Sequence, residues 1–456
     1  MFDLSKFQDD IGQLTRLKTY THLLVCFPLS DSTPKGVIID ALHEAAGKVV
    51  SAFPWLAAKV VHEGQAPGNS GVFRLGHCSE FAPPNSIVVV KSCSDVSPSY
   101  DEIYAARGPC SMFNGQALGP VIAFPESYEE SDTRPARVFV IQANFIKGGL
   151  LLDAAAHHNF IDGGGLFQCV QLFAKALRGE PFSDLELEQG NRDRRTLIPL
   201  LDPHEPLLDH SHLRCPPASA TPSSRPARAP AAWHFWRVPS ASVARIKDQA
   251  NLDLRVEASK TPFVSTNDAL SAFLWKRVAD VRLRRRGNPD ELTKLSRAMD
   301  VRRAMGIPPE YMGQMGYNAT TRVSFGELTE LSLGSTAAVL RNKVKEVNTP
   351  YSVRSWATFI AREQDKSTIM FGGTFNPDTD VGVSSLAHVE LYSRSFGPLG
   401  NPGLVRRPNF RPLEGCVYFW SRTKEGDIDV LTCLNEADIE GLKMDKEWRV
   451  NTEYIG

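Results

Sequence analysis

The chain has 456 residues, of which 42% are hydrophobic and 23% are charged, as in an ordinary globular protein. Because a single hydrophobic core rarely grows beyond about 250–300 residues, this length favours two domains. The 51 basic and 52 acidic side chains leave a formal net charge of -1. This balance supplies no positive field that would favour nucleic acid or an anionic membrane surface as a partner.

The first residues, MFDLSKFQDDIGQL, carry acidic side chains where a secretory signal has basic ones. No run approaches the roughly 20 apolar residues of a membrane-spanning helix. We therefore expect a cytosolic protein.

The first half of the chain contains a helix, then two strands. Apolar residues at helical spacing predict the helix between Pro34 and Pro54. Two apolar strands are predicted on either side of Lys147-Gly148-Gly149, where glycine permits the positive φ of a tight turn. The second of these strands ends at His157 and His158, and a further helix is predicted to begin at Gly165.

Residues 202–232 are rich in Pro, Ala and Ser and poor in large apolar residues. Such a segment cannot bury enough apolar surface to offset the entropy lost on ordering it. We therefore predict an N-terminal domain over 1–201, a crossover linker over 202–232 and a C-terminal domain over 233–456.

Past the linker, the sequence predicts a strand and a helix in FWRVPSASVARIKDQA and a longer helix capped at Ser265 or Thr266, with Asp268 in its first turn. A hairpin is predicted around Glu425-Gly426, followed by a helix capped by Asn435. Strands and helices mix without regular βαβ alternation, so we predict an α+β fold with mixed sheets.

The stretch HHNFIDGGG places His158 and Asp162 in an HxxxD pattern between a strand and a helix. Histidine can take and return a proton near neutral pH, and Gly163–Gly165 allow the backbone to pass close to a ligand. The pattern alone is weak, because about half an occurrence is expected by chance in such a chain. From these residues alone, a catalytic base and two structural histidines at a strand end both stay open.

Further motifs run along the chain in a fixed order: QANFIKGGLLL, HHNFIDGGG, FVSTNDALSAFLWK, SRAMDVRRAMG, GYNAT, RSFGPLGNPGLVRRP and DKEW. In order and spacing they resemble the BAHD superfamily of acyl-CoA-dependent acyltransferases, in particular its fungal branch typified by trichothecene acetyltransferase. The resemblance covers essentially the whole chain.

The resemblance implies two chloramphenicol-acetyltransferase-like domains with an active-site channel between them. It also implies an acyl-CoA cosubstrate, most simply acetyl-CoA, and an alcohol acceptor of secondary metabolism. A permanently bound cofactor, a metal and an oligomer are not expected, so the protein is predicted to be a monomer.

Matched to the family's motif, His158 is the general base, Asp162 the aspartate that orients the loop, and Gly163 the glycine of the motif. Arg302 is the position expected to pair with Asp162. His157 faces the other way if the strand persists, which predicts a packing or supporting role.

The resemblance and the chemistry of acyl transfer suggest further candidates. Asn318, Ser384 and Ser385 are candidates for stabilising the negative oxygen of the intermediate or for contacting the acceptor; the alternative is that they are polar residues at strand ends. Arg406 and Arg407 are candidates for binding CoA phosphates, with a structural role as the alternative.

The family's DFGWG signature is replaced here by SFGPL at 395–399, so that Ser395 and Pro398 stand in place of Asp and Trp. The change puts an ion pair of the loop in doubt and, since the loop borders the CoA side in the family, donor affinity as well. It also favours, weakly, a donor-free cyclisation, dehydration or rearrangement on the same fold. A silent binding protein is disfavoured because the HxxxD pattern is complete.

Segments 108–124 and 367–380 are expected to line an apolar acceptor pocket.

Overall fold

A computed structural model describes residues 2–30, 33–81, 85–123, 135–215 and 230–456. The strands in these ranges are β1 (Tyr20–Pro28), β2 (Lys59–Glu63), β3 (Val72–Gly76), β4 (Val88–Ser92), β5 (Ala136–Arg137), β6 (Phe139–Ile146), β7 (Gly149–His157), β8 (Ala231–Val238), β9 (Leu292–Asp300), β10 (Gly316–Ser324), β11 (Val381–Ser385), β12 (Leu404–Arg406), β13 (Cys416–Arg422), β14 (Ile428–Asn435) and β15 (Glu453–Tyr454).

The helices in the same ranges are α1 (Lys35–Ala52), α2 (Tyr100–Ala105), α3 (Gly115–Leu118), α4 (Gly163–Leu177), α5 (Asp184–Gly190), α6 (Ser240–Val256), α7 (Thr266–Arg286), α8 (Phe325–Glu330), α9 (Leu333–Val347), α10 (Pro350–Arg362), α11 (Glu436–Met444) and α12 (Lys446–Asn451). None of them combines the length and the apolarity that crossing a membrane requires.

The first sheet has the strand order β12-β1-β7-β6-β4. Its central strands β6 and β7 are buried at every position, which explains why both read as nearly continuous apolar runs. They pair antiparallel, whereas β4 runs parallel to β6. This sheet carries the HxxxD loop, because β7 leads directly into it.

The second sheet has the order β10-β9-β11-β13-β14-β8-β15 and also mixes directions, since β11 is parallel to both β9 and β13 while the other pairs are antiparallel. A third, small sheet has the order β3-β2-β5. The predicted α+β class with mixed sheets is therefore confirmed.

The two large sheets are tied together by a strand from the second half of the chain. In β12, Arg406 lies opposite Leu24 of β1, so residues 404–406 extend the first sheet. The proposed division at 202–232 stays a prediction. Residues 216–229 of that segment lie outside the described ranges, while the Leu208 N–H donates to Ser355 Oγ at 2.9 Å and ties its first part to α10.

Local signals located several elements well. Ser265 and Asp268 form a reciprocal capping box at the start of α7, with N–H to oxygen distances of 3.1 and 2.8 Å. Helix α4 begins at Gly163 rather than Gly165, because the Asp162 carboxylate caps the helix by accepting from the Gly165 N–H at 2.7 Å.

Candidate active site

His158 lies just past the end of β7, where its N–H donates to the Thr19 carbonyl at 2.8 Å. It lines a cavity whose wall comes from the start of β1, the HxxxD loop, the ends of β9 and β11, and β13. The histidine therefore stands where the two large sheets face each other.

His157 points away from this cavity, as the alternation of side chains along a strand requires. Its ring is fully buried against the edge of Tyr20, with ring centroids 5.0 Å apart. Neither ring nitrogen has a hydrogen-bond partner among the described residues. Burial lowers the pKa of His157 to about 3, so the ring is an uncharged packing group at neutral pH.

The ring of His158 is held from behind by Gln314. The Gln314 amide nitrogen lies 2.9 Å from the His158 carbonyl oxygen and 3.1 Å from Nδ1. Nε2, at the other end of the ring, is the nitrogen left to the cavity. Burial lowers the pKa of His158, against the opposing effects of its own carbonyl and of Asp162. The ring is therefore neutral at pH 7.

The hydrogen-bond partners of the Asp162 carboxylate do not include the ring of His158. Its two oxygens form a bidentate ion pair with Arg302 at 2.8 and 2.9 Å and also accept from the N–H groups of Gly165 and Met315 at 2.7 and 2.8 Å. Burial alone raises the pKa of a carboxyl, but here the charge and hydrogen bonds of Arg302 and the two N–H donors outweigh it, so the pKa of Asp162 is lowered. Asp162 thus fixes the loop on which His158 is mounted.

Arg302 uses its guanidinium to join this loop to the connection between β9 and β10. Besides Asp162, it donates to Asp300 at 3.0 Å and to the carbonyls of Tyr311 and Gly313 at 3.0 and 2.7 Å. The same connection carries Gln314, which the sequence patterns did not single out. It stands between the SRAMDVRRAMG and GYNAT motifs, and neither its residue type nor its position in the sequence indicates that it contacts His158.

The close approach in the GGG turn occurs at Gly165 and not at Gly163. A Cβ on Gly165 would lie 2.1 Å from the Met312 carbonyl oxygen, whereas a Cβ on Gly163 would meet only Leu386 Cδ2 at 3.9 Å. Gly163 nevertheless lines the cavity.

Ser384 and Ser385 lie at the end of β11 and line the same cavity as His158. Asn318 does not. Gly316 reaches the cavity, but Asn318 lies two residues further along β10, about 6–7 Å away at the usual rise of a strand. It lines a neighbouring pocket, and its Oδ1 accepts from Ser296 Oγ at 3.3 Å. A contact of Asn318 with the oxyanion or the acceptor therefore stays a prediction, with a polar strand residue as the alternative.

For Arg406, the sequence leaves a CoA-binding role and a structural role both open, and its contacts favour the structural role. Its side chain is fully buried and pairs with Asp429 of β14 at 2.8 Å. Its other N–H donors bind the carbonyls of Arg107, Gly108 and Val405. An arginine placed in this way ties the two sheets together, and its full burial separates it from a ligand in the cavity.

Arg407 lies differently, because it lines the cavity. Its guanidinium lies over the rings of Trp233 and Phe410, at 4.8 and 5.5 Å from their centroids. The residue is 6% exposed. Of the two arginines, it alone stands where a ligand in the cavity would pass.

The sequence segments that were expected near the site differ in whether they line the cavity. Of residues 367–380 only Phe371 lines the cavity, and none of 108–123 or 395–399 does; residue 124 lies outside the described ranges. The SFGPL loop is held in another way: the Ser395 carbonyl accepts from Arg178 at 2.6 Å, and Phe396 packs against Phe27 with centroids 5.0 Å apart.

The described residues contain no cluster of three or more His, Cys, Asp or Glu side chains suited to a metal ion.

Comparisons with known proteins find similarity to acyltransferases along the whole chain. Residues 118–448 match the model of the transferase family, and residues 19–177 match that of the trichothecene 3-O-acetyltransferase-like N-terminal domain. The O-acyltransferase pigD of Monascus ruber is 48% identical over 100% of both chains. The trichothecene 3-O-acetyltransferase TRI101 of Fusarium sporotrichioides is 33% identical over 98% of this chain and 96% of its own.

Among solved structures, F. graminearum TRI101 complexed with coenzyme A and deoxynivalenol superposes with a TM-score of 0.90 at 32% identity, covering 98% of this chain and 99% of that one. The mixed sheets are those of the trichothecene acetyltransferase structures. The chain belongs to the transferase family, and its resemblance to the fungal trichothecene acetyltransferase branch is confirmed.

Replacing Gly165 by Ala should destabilise the protein by about 1–3 kcal/mol, because the new methyl group overlaps the Met312 backbone. Gly163→Ala is the matched control in the same turn and should change stability by less than about 0.5 kcal/mol. Thermal unfolding followed by circular dichroism measures both. Equal losses in the two variants would contradict this account of the turn.

Asp162→Asn should cost about 3–5 kcal/mol at pH 7, because it removes the buried partner of the Arg302 charge and leaves only the half-exposed Asp300 beside it. Asp300→Asn is the control, since the Asp300 side chain is 50% exposed and such pairs contribute little. The folded-state pKa of Asp162 is lowered, so the contribution is complete above about pH 4 and is lost as the pH falls through the lowered pKa. Urea unfolding at several pH values tests this, and a constant difference down to pH 2 would oppose it.

Proposed function

We propose that the protein transfers an acyl group, most simply acetyl, from acyl-CoA to a hydroxyl group of a small secondary metabolite, with His158 as the general base. The observation that carries the proposal is the position of His158: its ring lines the cavity between the sheets and presents Nε2 to it. Similarity to acyltransferases over the full chain supports the same reaction.

In this mechanism Nε2 of His158 takes the proton of the acceptor hydroxyl as its oxygen attacks the thioester carbonyl carbon. The carbonyl oxygen becomes an oxyanion, the carbon–sulfur bond breaks, and the protonated ring returns its proton to the thiolate. The products are an ester and free CoA, with no covalent enzyme intermediate. Asp162 and Arg302 take no part in the proton transfer and position the loop.

The hydroxyls of Ser384 and Ser385 are the proposed donors to the oxyanion, because both line the cavity and one such donor is typically worth about 3 kcal/mol of barrier. Arg407 is the proposed contact for an anionic part of the donor. Asn318, which lines a neighbouring pocket, and Arg406, which is buried against Asp429, are not assigned such roles.

The acceptor is proposed to be a largely apolar molecule, because the cavity wall includes Phe371, Leu386 and Trp420. The F. graminearum relative was solved in complex with coenzyme A and deoxynivalenol, which is a small molecule. The donor-free rearrangement has no such support, since pigD and TRI101, each similar over nearly its whole length, are named as an O-acyltransferase and an O-acetyltransferase. A cytosolic location and a monomeric state stay predictions.

His158→Ala should lower acyl transfer by about 10²–10⁴-fold, the usual contribution of a general base. Free thiol is followed with acetyl-CoA, using deoxynivalenol and a panel of apolar hydroxylated metabolites as acceptors. Calorimetric titration with CoA is the control, and the variant should bind CoA as the wild type does. Transfer at the wild-type rate in the variant would refute the role of His158, and failure of the wild type to bind CoA or acetyl-CoA would refute the donor.

The pH profile of kcat/KM should fall on the acid side with a midpoint below the ordinary histidine value of about 6.5. The reason is that the base works only when neutral, and burial lowers the pKa of His158. Initial rates between pH 4.5 and 8 measure the midpoint. A midpoint above 6.5 would mean that another group limits the reaction.

A further inference from the structure

Residues 3–17, before the first strand, form an ordered N-terminal segment. It consists mainly of three short 3₁₀ turns, Ser5–Phe7, Ile11–Gln13 and Thr15–Leu17. Four of its apolar side chains are at most 4% exposed, namely those of Phe7, Ile11, Leu14 and Leu17. Burial of these side chains anchors the segment to the cores of the protein. The segment is therefore a firm support for any loop that contacts it.

Asn159, the residue after His158, joins the HxxxD loop to this segment. Its Nδ2 donates to the carbonyls of Gly12 and Leu14 at 2.5 and 3.0 Å, and the residue is 1% exposed. The main chains also lie close together, because a Cβ on Gly12 would be 2.2 Å from the Asn159 carbonyl oxygen. The side chain and the close fit thus fix this part of the loop on the segment.

The next residue of the loop is linked to the same segment through Arg194. The Phe160 carbonyl accepts from Arg194 Nη1 at 2.8 Å. The main-chain N–H of Arg194 donates in turn to the Lys6 carbonyl at 2.7 Å. The loop is therefore held from the N-terminal segment at two successive residues, directly at Asn159 and through an arginine at Phe160.

The ion pair of Asp162 with Arg302 fastens the other end of the loop, four residues beyond His158, whereas Asn159 adjoins the histidine. A displacement of about 1 Å in a reacting group can lower the rate by about 10²-fold. We propose that Asn159 is a positioning residue for His158: it holds the loop against the N-terminal segment and so fixes the direction in which Nε2 enters the cavity. The effect on rate rests on the proposed function, but the position of the ring is a property of the protein alone.

Asn191 offers a matched comparison with Asn159. Its Nδ2 also donates to two main-chain carbonyls, those of Ala52 and Leu187, at 2.9 and 3.0 Å. Each of the two asparagines has a buried Oδ1 without a hydrogen-bond partner among the described residues. The carbonyls that Asn191 binds lie outside the HxxxD loop. Equal substitutions at the two positions therefore separate a role in stability from a role in positioning.

Asn159→Leu and Asn191→Leu keep the approximate shape of the side chain and remove its donor. Both should lower the melting temperature, because each leaves two carbonyls without this partner. Only Asn159→Leu should lower kcat, by about 10-fold to 100-fold, with KM and the Kd for CoA within about twofold of wild type. Rates are measured well below both melting temperatures. A folded Asn159→Leu enzyme with the wild-type kcat would overturn the proposal, as would an equal loss in Asn191→Leu.

Gly12→Ala disturbs the same contact from the side of the segment and should also lower kcat. Gly47→Ala is its control, because a Cβ there meets nothing within 4 Å, and it should leave kcat unchanged. In the double variant of Asn159→Leu and Gly12→Ala, the two losses should not multiply, since both release one contact. A double variant whose loss is the product of the single losses would speak against the proposal.

The position of the ring is tested without substrate by NMR of protein labelled with ¹⁵N in its histidine rings. The signal of His158 is assigned by its loss in His158→Ala. It should move in Asn159→Leu and stay in place in Asn191→Leu, and an unmoved signal in folded Asn159→Leu would refute the role of Asn159. Absence of acyl transfer in the wild type would refute the proposed function, and this comparison would still decide whether Asn159 positions the ring.

Discussion

The buried ion pair between Asp162 and Arg302 connects everything else in the site. Asp162 caps α4 in the first sheet's half of the molecule, and Arg302 follows β9 of the second sheet. A buried pair of charges is stable only if each charge also makes further hydrogen bonds. Here the carboxylate accepts from two N–H groups, and the guanidinium donates to two main-chain carbonyls. The pair therefore holds the position of His158 relative to the opposite wall.

The pKa of His158 is set mainly by burial and not by a carboxylate bound to its ring. A carboxylate at Nδ1 would raise the pKa of the ring, whereas burial lowers it. A neutral ring at pH 7 can accept the hydroxyl proton, and the conjugate acid is strong enough to protonate a thiolate, whose ordinary pKa is about 8.5. In the proposed mechanism one residue thus serves both proton transfers, and the aspartate of the motif has a structural role.

Elements with strong local signals were predictable from the sequence, and environments set by the tertiary fold were not. The capping box at Ser265 and the glycine hairpin before β7 are decided by residues close together in the chain. The sequence does not show which residues of β10 line the cavity, because this depends on how β10 pairs with β9; Gly316 lines it and Asn318 does not. Arg406 looked like a phosphate ligand because its sequence does not reveal that Asp429 lies beside it.

The departure at Ser395 is compatible with acyl transfer because the loop keeps its position by other means. Arg178 binds Glu180 with its side chain and the Ser395 main-chain carbonyl with another N–H. A main-chain carbonyl is present whatever residue stands at 395, so this anchor does not depend on a carboxylate there. Phe396 adds apolar packing against Phe27. Residues 395–399 do not line the cavity of His158, so the substitution changes how the loop is held and adds no side chain to the cavity wall.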